Sequence, residues 1–252
     1  MRYFAELCYR GTRYVGWQRQ EGPKPSVQIV VENALSTILA RSIDVTGCGR
    51  TDAGVHAKEY YLHFDFEGEF PEGFLSRLNK FLPPDIAFRR FFPVQPDAHA
   101  RFDAFERSYE YYVSLSKNPF STDLAYFFPF RRRLDFGRME EAARLLLGYD
   151  TFFPFCKSNT DDTSMRCDLQ RAEWRHDPDN DRMVFYITSN RFLRGMVRLI
   201  VGMCLNVGMS EVSLEEIKEA MDQQTRFAKS WSVPPEGLYL TGVKYPEALI
   251  LS

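Results

Sequence analysis

Ser26-Val27-Gln28-Ile29-Val30-Val31-Glu32-Asn33-Ala34-Leu35-Ser36-Thr37-Ile38-Leu39 is the stretch on which the fold turns. Its apolar positions 27, 30, 31, 34, 35, 38 and 39 follow the i, i+3, i+4, i+7 spacing of a helix with one apolar face. Ser26 stands where an N-cap belongs, because its hydroxyl can accept an amide proton that the first helical turn leaves unpaired. Such a helix needs a surface to cover, and the flanking sequence supplies strands. Arg2 to Tyr9 sets Tyr3, Ala5 and Leu7 on one face and Phe4 and Cys8 on the other, a strand covered on both sides. Ile43 to Cys48 reads as a short strand. Lys58 to Glu67 alternates, with Tyr60, Leu62, Phe64 and Phe66 opposite Glu59, His63, Asp65 and Glu67. Pro71 to Leu82 reads as a helix and Ile86 to Val94 as a strand. The order is β-α-β-β-α-β, the ferredoxin-like unit.

The order then repeats. Tyr109, Tyr111, Val113 and Leu115 alternate on a strand, and Asp135 caps a helix that ends at Gly148. Strands follow near Arg166–Arg175 and Arg182–Asn190, separated by Asp177-Pro178-Asp179-Asn180-Asp181. A helix is expected from Phe192 to about Val207, an acidic one from Leu214 to Gln223, and a last strand from Leu238 to Tyr245. The fold class is therefore α+β: two ferredoxin-like halves, 1–104 and 105–252, joined near Arg101–Arg107. Two separate four-stranded sheets would leave open edges, so the halves are expected to share one continuous, mainly antiparallel sheet with the helices on one face.

Composition limits what such a chain does. Over 252 residues, 44% are hydrophobic and 26% charged, which excludes wholesale disorder. No apolar run reaches the length of a membrane span. Met1-Arg2-Tyr3-Phe4-Ala5-Glu6 enters a strand at once, leaving no room for a signal peptide. Cys8, Cys48, Cys156, Cys167 and Cys204 are odd in number and hold no Cys-x-x-Cys pair, so they read as small hydrophobes in a reducing cytoplasm. The formal charge of −2 argues against a nucleic-acid binder, yet 24 of the 32 basic residues are Arg, the side chain suited to phosphate forks and base stacking.

The most unusual segment is Gly47-Cys48-Gly49-Arg50-Thr51-Asp52-Ala53-Gly54-Val55-His56-Ala57, between two expected strands. Glycines let backbone approach a ligand closely. A guanidinium beside a carboxylate favours its charged form, and a charged carboxylate can serve as base, nucleophile or metal ligand. Arg50 and Asp52 meet that description; the spacing alone leaves a turn-capping role for Asp52 open. His56 reads as either a general base or a structural turn histidine. His63, His99 and His176 are scattered, so no metal pair is read from spacing. Tyr14-Val15-Gly16-Trp17-Gln18-Arg19-Gln20 interleaves aromatics with polar groups able to meet bases and phosphates, although Trp17 can equally pack on the core. Arg101 and Arg107 flank a third candidate segment, and Arg131-Arg132-Arg133 is a short basic run. Arg191, Arg194 and Arg198 fall at i, i+3 and i+7, one stripe if the helix runs through them. The positive charge is thus local, and the acids gather in Asp65 to Glu72 and Glu211 to Asp222.

These segments together resemble the bacterial tRNA pseudouridine synthase A family. The resemblance is carried by Tyr14 to Gln20, Gly49 to Ala57, His99-Ala100-Arg101-Phe102, Arg191 to Arg198 and Glu236-Gly237-Leu238-Tyr239-Leu240, in family order over nearly the whole chain. It implies an isomerase that converts uridines of the tRNA anticodon stem-loop to pseudouridine, with no cofactor and no metal, as a cytoplasmic homodimer. It implies that Asp52 is the nucleophile, that Tyr109 stacks on the target base and that Arg198 pairs with the aspartate. Trp17, Gln18, Arg19, His56, Arg101, Arg191 and Arg194 are the further candidates for contact with RNA, and the loops are expected to form an RNA cleft on the sheet face away from the helices. In this scheme the 1–104 half carries the aspartate loop, and the 105–252 half carries the tyrosine and the arginine helix. The chain departs from the family pattern at Arg10, commonly Asp, at Ser108, often basic, and in Gly148 to Phe155. A non-catalytic RNA-binding module is the alternative reading; a metal-dependent hydrolase would need a second ligand that the spacing does not offer.

Overall fold

A computed structural model describes residues 1–157 and 164–251. The protein is α+β, built on a large, mostly antiparallel sheet with few helices. The chain divides into two compact units, one of residues 1–107 with 239–252 and one of residues 108–238.

In the first unit, strand β1 (Arg2–Tyr9) lies between β4 (Ile86–Val94) and β3 (His56–Asp65), antiparallel to both. The free edge of β3 is shared by two short partners. Strand β2 (Thr46–Gly47) pairs antiparallel with Leu62–His63, and β9 (Leu238–Lys244) pairs parallel through His56↔Tyr239 and Ala57↔Leu240. Helix α1 (Val27–Leu39) is capped as expected, the Ser26 hydroxyl accepting from the Ile29 amide at 3.3 Å. It packs on α2 (Phe74–Phe81), whose Phe74 ring meets Phe91 of β4 at 4.9 Å. Phe91 shares its sheet face with Ala5 and Leu62, so α2 covers that face. The opposite face is covered at one end by Ala98 and Ala100 of the β4–β5 loop and by Tyr245 and Leu249, packed on Phe4 and Val94.

Several expected elements shift, each for a local reason. The expected strand from Ile43 shrinks to Thr46–Gly47, because the Ile43 amide donates to the Ser36 hydroxyl and the Val45 amide to Glu32, tying the segment to α1. Helix α2 starts at Phe74 rather than Pro71, after Gly73 at φ +65°.

In the second unit β5 (Glu106–Ser114), β8 (Arg182–Ser189) and β7 (Leu169–Asp177) lie in that order, with β7 and β8 an antiparallel hairpin. A two-residue strand, β6 (Tyr126–Phe127), runs parallel to the end of β5 and left no pattern in the sequence. Helix α3 (Phe136–Leu145), capped by Asp135, packs on β7 and on α4 (Met196–Gly208). Helix α5 (Leu214–Gln223) opens with a capping box between Ser213 and Glu216. The expected helix from Phe192 begins four residues late: Gly195, at φ +73°, stands at its N-cap. Arg191 and Arg194 therefore precede the helix, and the single stripe of three arginines does not form; only Arg198 lies on α4.

Candidate functional site

The segment Cys48 to Val55 leaves β2 and returns into β3, and the loop after β1 pins it from below. The Trp17 amide donates to the Thr51 carbonyl at 3.3 Å and the Gly54 amide to the Tyr14 carbonyl at 3.4 Å. Side chains repeat the attachment: the Tyr9 and Thr51 hydroxyls lie 2.8 Å apart, and the Tyr60 hydroxyl donates to the Gly49 carbonyl at 2.6 Å. The two loops are so close that a methyl group on Gly16 would sit 2.2 Å from the Thr51 carbonyl oxygen, and one on Gly11 would sit 1.9 Å from that of Val55. Val55 closes a turn onto the Asp52 carbonyl at 3.2 Å. Asp52 is half-buried and Arg50 exposed. The arrangement is a carboxylate and a guanidinium on a main chain fixed at both sides, with the means to present charge to a ligand without prior ordering.

Trp17 is the floor of this loop. Its ring is 2% exposed and stacks on Tyr60 with centroids 4.1 Å apart, so it has no open face for a base; the expected RNA contact by this side chain is corrected to a packing role. His56 is also enclosed, at 1% exposure. Its Nδ1 accepts from the Gly11 amide at 3.1 Å, so that nitrogen carries no proton, and its ring stacks on Tyr239 at 4.5 Å. It joins the two loops to β9 and is closed off from solvent there. Gln18 and Arg19 are exposed but tied to α1: Gln18 donates to Gln28 at 2.9 Å, and the Arg19 guanidinium is hydrogen-bonded to the buried carboxylate of Glu32. Arg101 is exposed on the loop between β4 and β5. Arg107, at the end of the third candidate segment, turns inward. Its guanidinium donates to the carbonyls of Cys48 at 3.0 Å, Arg101 at 2.6 Å and Ala104 at 2.9 Å, holding the Arg101 loop to the start of the Asp52 loop. Burial pushes the Cys48 thiol up to about 11, which leaves it inert beneath the loop.

The second unit holds the remaining candidates. Tyr109 on β5 is half-buried, and its ring meets that of Phe192 edge-on at 5.1 Å and 87°. Arg198 donates through Nε to the Val233 carbonyl at 2.7 Å. Gly202, one turn along α4, lets that segment in: a methyl group there would lie 1.6 Å from the Trp231 carbonyl oxygen. Arg191 donates to the Ser164 carbonyl at 3.2 Å, and Arg194 is exposed. A surface cleft of about 840 Å³ in this unit is lined by Asp150, Arg166, Asp168, Asn190, Asp222 and Gln224 among others; three carboxylates make it a poor match for phosphate. Among the described residues, no group of three or more His, Cys, Asp or Glu is placed to hold a metal ion, and no helix is long and apolar enough to cross a membrane.

The residues that hold the Asp52 loop, namely Tyr9, Gly11, Gly16, Tyr60 and Arg107, carry no catalytic signature in sequence. The signal for Gly16 was its place between Val15 and Trp17; the others are marked only by the three-dimensional contact.

Comparison with known proteins spans nearly the whole chain. A family model described as tRNA pseudouridine synthase matches residues 142–246. A tRNA pseudouridine synthase A of Porphyromonas gingivalis is 45% identical over 253 residues, covering 99% of each chain. One of Bacteroides thetaiotaomicron is 44% identical over 248 residues, 98% of this chain and 91% of the relative. One of Neisseria meningitidis serogroup C is 35% identical over 250 residues, 98% of this chain and 93% of the relative.

Proposed function

The chain belongs to the tRNA pseudouridine synthase A family, and from that premise we propose that it isomerises uridines in the anticodon stem-loop of tRNA with Asp52 as the nucleophile. The enzyme is an isomerase acting on tRNA. The reaction breaks the bond from N1 of uracil to C1′ of the ribose and makes one from C5 to the same carbon. C5 loses its proton and N1 gains one, so atoms and electrons balance with no carrier. The target base must leave the stack before C1′ can be reached.

The observation that carries this reading is the mounting of Arg50-Thr51-Asp52, held by the preceding loop through the Trp17–Thr51 and Gly54–Tyr14 main-chain hydrogen bonds. A nucleophile that must meet one sugar carbon gains from a backbone that needs no ordering at the moment of reaction. Arg50 or Arg198 supplies the guanidinium that stabilises the carboxylate, and Tyr109, propped by Phe192, stacks on the extruded uracil. Gln18, Arg19, Arg101, Arg191 and Arg194 meet the RNA around it. In this scheme 1–104 carries the nucleophile, 105–252 carries the stacking tyrosine and Arg198, and two copies act together as a cytoplasmic homodimer.

The test is Asp52→Ala, assayed by release of tritium from the uracil C5 position of tRNA. Release is expected to fall on the order of 10³-fold or more, with thermal melting and tRNA affinity kept. Normal release by the variant overturns the role of Asp52, and wild-type protein that binds tRNA yet leaves it chemically unchanged favours a binding module.

A further inference from the structure

The loop between β4 and β5 holds Phe102 at 73% exposure on a backbone clamped at almost every residue. The His99 amide donates to the Asp103 carboxylate at 2.6 Å, and the Asp103 amide returns a bond to the His99 carbonyl at 3.1 Å. His99 Nδ1 accepts from the amides of Arg101 at 3.1 Å and Phe102 at 3.3 Å. The Ala100 amide donates to His63 Nδ1 at 3.0 Å, and its carbonyl accepts from the Tyr245 hydroxyl at 2.6 Å. The Phe102 ring rests on the His99 imidazole with centroids 4.2 Å apart, and the Arg101 guanidinium carbon lies 5.6 Å from its centre.

A single exposed Phe is ordinary on a protein surface. This one is carried on a fixed support, because the backbone on both sides of it is committed to hydrogen bonds. A rigid apolar ring beside a guanidinium is the chemistry that a nucleobase and its phosphate accept: every base has a π-face to stack, and the cation meets the backbone. The place is also informative. The same terminal nitrogen of Arg107 that holds the Arg101 carbonyl holds the Cys48 carbonyl, so this loop and the Asp52 loop are joined through one side chain.

We infer that Phe102 stacks on a nucleobase neighbouring the target uridine in the tRNA, with Arg101 on the adjoining phosphate. The inference rests on the proposed tRNA substrate. It assigns Phe102 a base other than the one given to Tyr109, so that the strand is gripped beside the point where a nucleotide is drawn out.

The experiment measures affinity for fluorescently labelled tRNA, with tritium release in parallel, for wild type and for Phe102→Ala, Phe102→Leu and Phe102→Trp in the full chain. Loss of one base–aromatic stack is expected to weaken binding about tenfold in the Ala and Leu variants. Trp restores it, and all variants melt as wild type does. Leu binding as tightly as Phe, Ala binding as tightly as Phe, or Trp binding as weakly as Ala would overturn the inference. Wild-type protein that neither binds tRNA nor releases tritium brings down the proposed function and this inference together; wild-type activity with an unaffected Phe102→Ala brings down this inference alone.

Discussion

His63 is a buried base that folding keeps neutral. Its Nδ1 accepts the Ala100 amide, and burial lowers its pKa from 6.5 to about 4, with Arg2 and the neighbouring His99 adding to the effect against Asp65 and Asp103. Between those two values the unfolded chain takes up a proton that the folded chain refuses, so stability rises with pH across the window and is lost as pH falls from about 6.5 towards 4. Glu6, Asp65 and Asp85, whose pKa values are also lowered in the fold, begin to add to this only below about 4.5. Burial lowers the His99 pKa as well, so it adds to the same window. In urea unfolding followed from pH 7 to pH 4.5, His63→Asn is expected to reduce the slope without abolishing it, since the Asn carbonyl can take the same amide without titrating. An unchanged slope would place the pH dependence elsewhere. At this scale the sequence was uneven. The glycine-bracketed Arg50-Thr51-Asp52 stood out without any structure. The roles of Trp17 and His56 did not, because an aromatic or imidazole side chain looks the same in sequence whether it lies over a substrate or under a loop.

Amphipathic periodicity and the Ser26 cap made α1 legible almost residue by residue. Asp135 marked the start of α3, which ends at Leu145 before a 3-10 turn to Gly148, and the acidic run from Leu214 to Gln223 marked α5. The start of α4 was not legible. Phe192 and Met196 keep the helical period across Gly195, whose positive φ marks the true beginning and is invisible to a hydrophobicity pattern. Loops are positioned in the same hidden way. Gly16, at φ +108°, lies where any side chain would be strained and would meet the Thr51 carbonyl. Gly16→Ala is expected to cost about 1–3 kcal/mol in denaturant unfolding. It should also lower tritium release under conditions where the protein stays folded, because the displaced atom belongs to the residue before Asp52. A variant that unfolds earlier yet turns over normally when folded would show that the two loops are joined for stability alone.

Across the whole molecule the near-neutral charge has a concrete origin: exposed arginines are often already answered by acids. Arg13 is paired with Asp85 at 2.6 Å, Arg131 with Asp181 at 2.6 Å and Arg133 with Glu211 at 2.6 Å. A guanidinium so held has less charge to offer a phosphate. Each neutralised phosphate adds about 0.7–0.9 to the slope of log K against log salt. Arg13→Ala and Arg131→Ala are each expected to change the slope for tRNA binding by less than half of that, measured by titration at several salt concentrations. A full unit lost from either would mean that RNA breaks these pairs. The repeated β-α-β-β-α-β order was visible in the sequence. The return of residues 239–252 to the first unit was not, because it rests on a two-residue parallel pairing nearly two hundred positions from its partner.

That return sets a timetable. A ribosome makes Asp52 early and Tyr239 late, yet the ring of Tyr239 lies against His56, the Val243 amide is held by Glu59, and Tyr245 secures the Ala100 carbonyl. While residues 108–238 are being synthesised, the unit that carries the aspartate lacks strand β9 and one of the fastenings of its aromatic loop. The nascent chain therefore reaches a finished site only after almost all of it has emerged, and a product aborted before position 239 contains Asp52 without the completed surroundings that hold its loop in place.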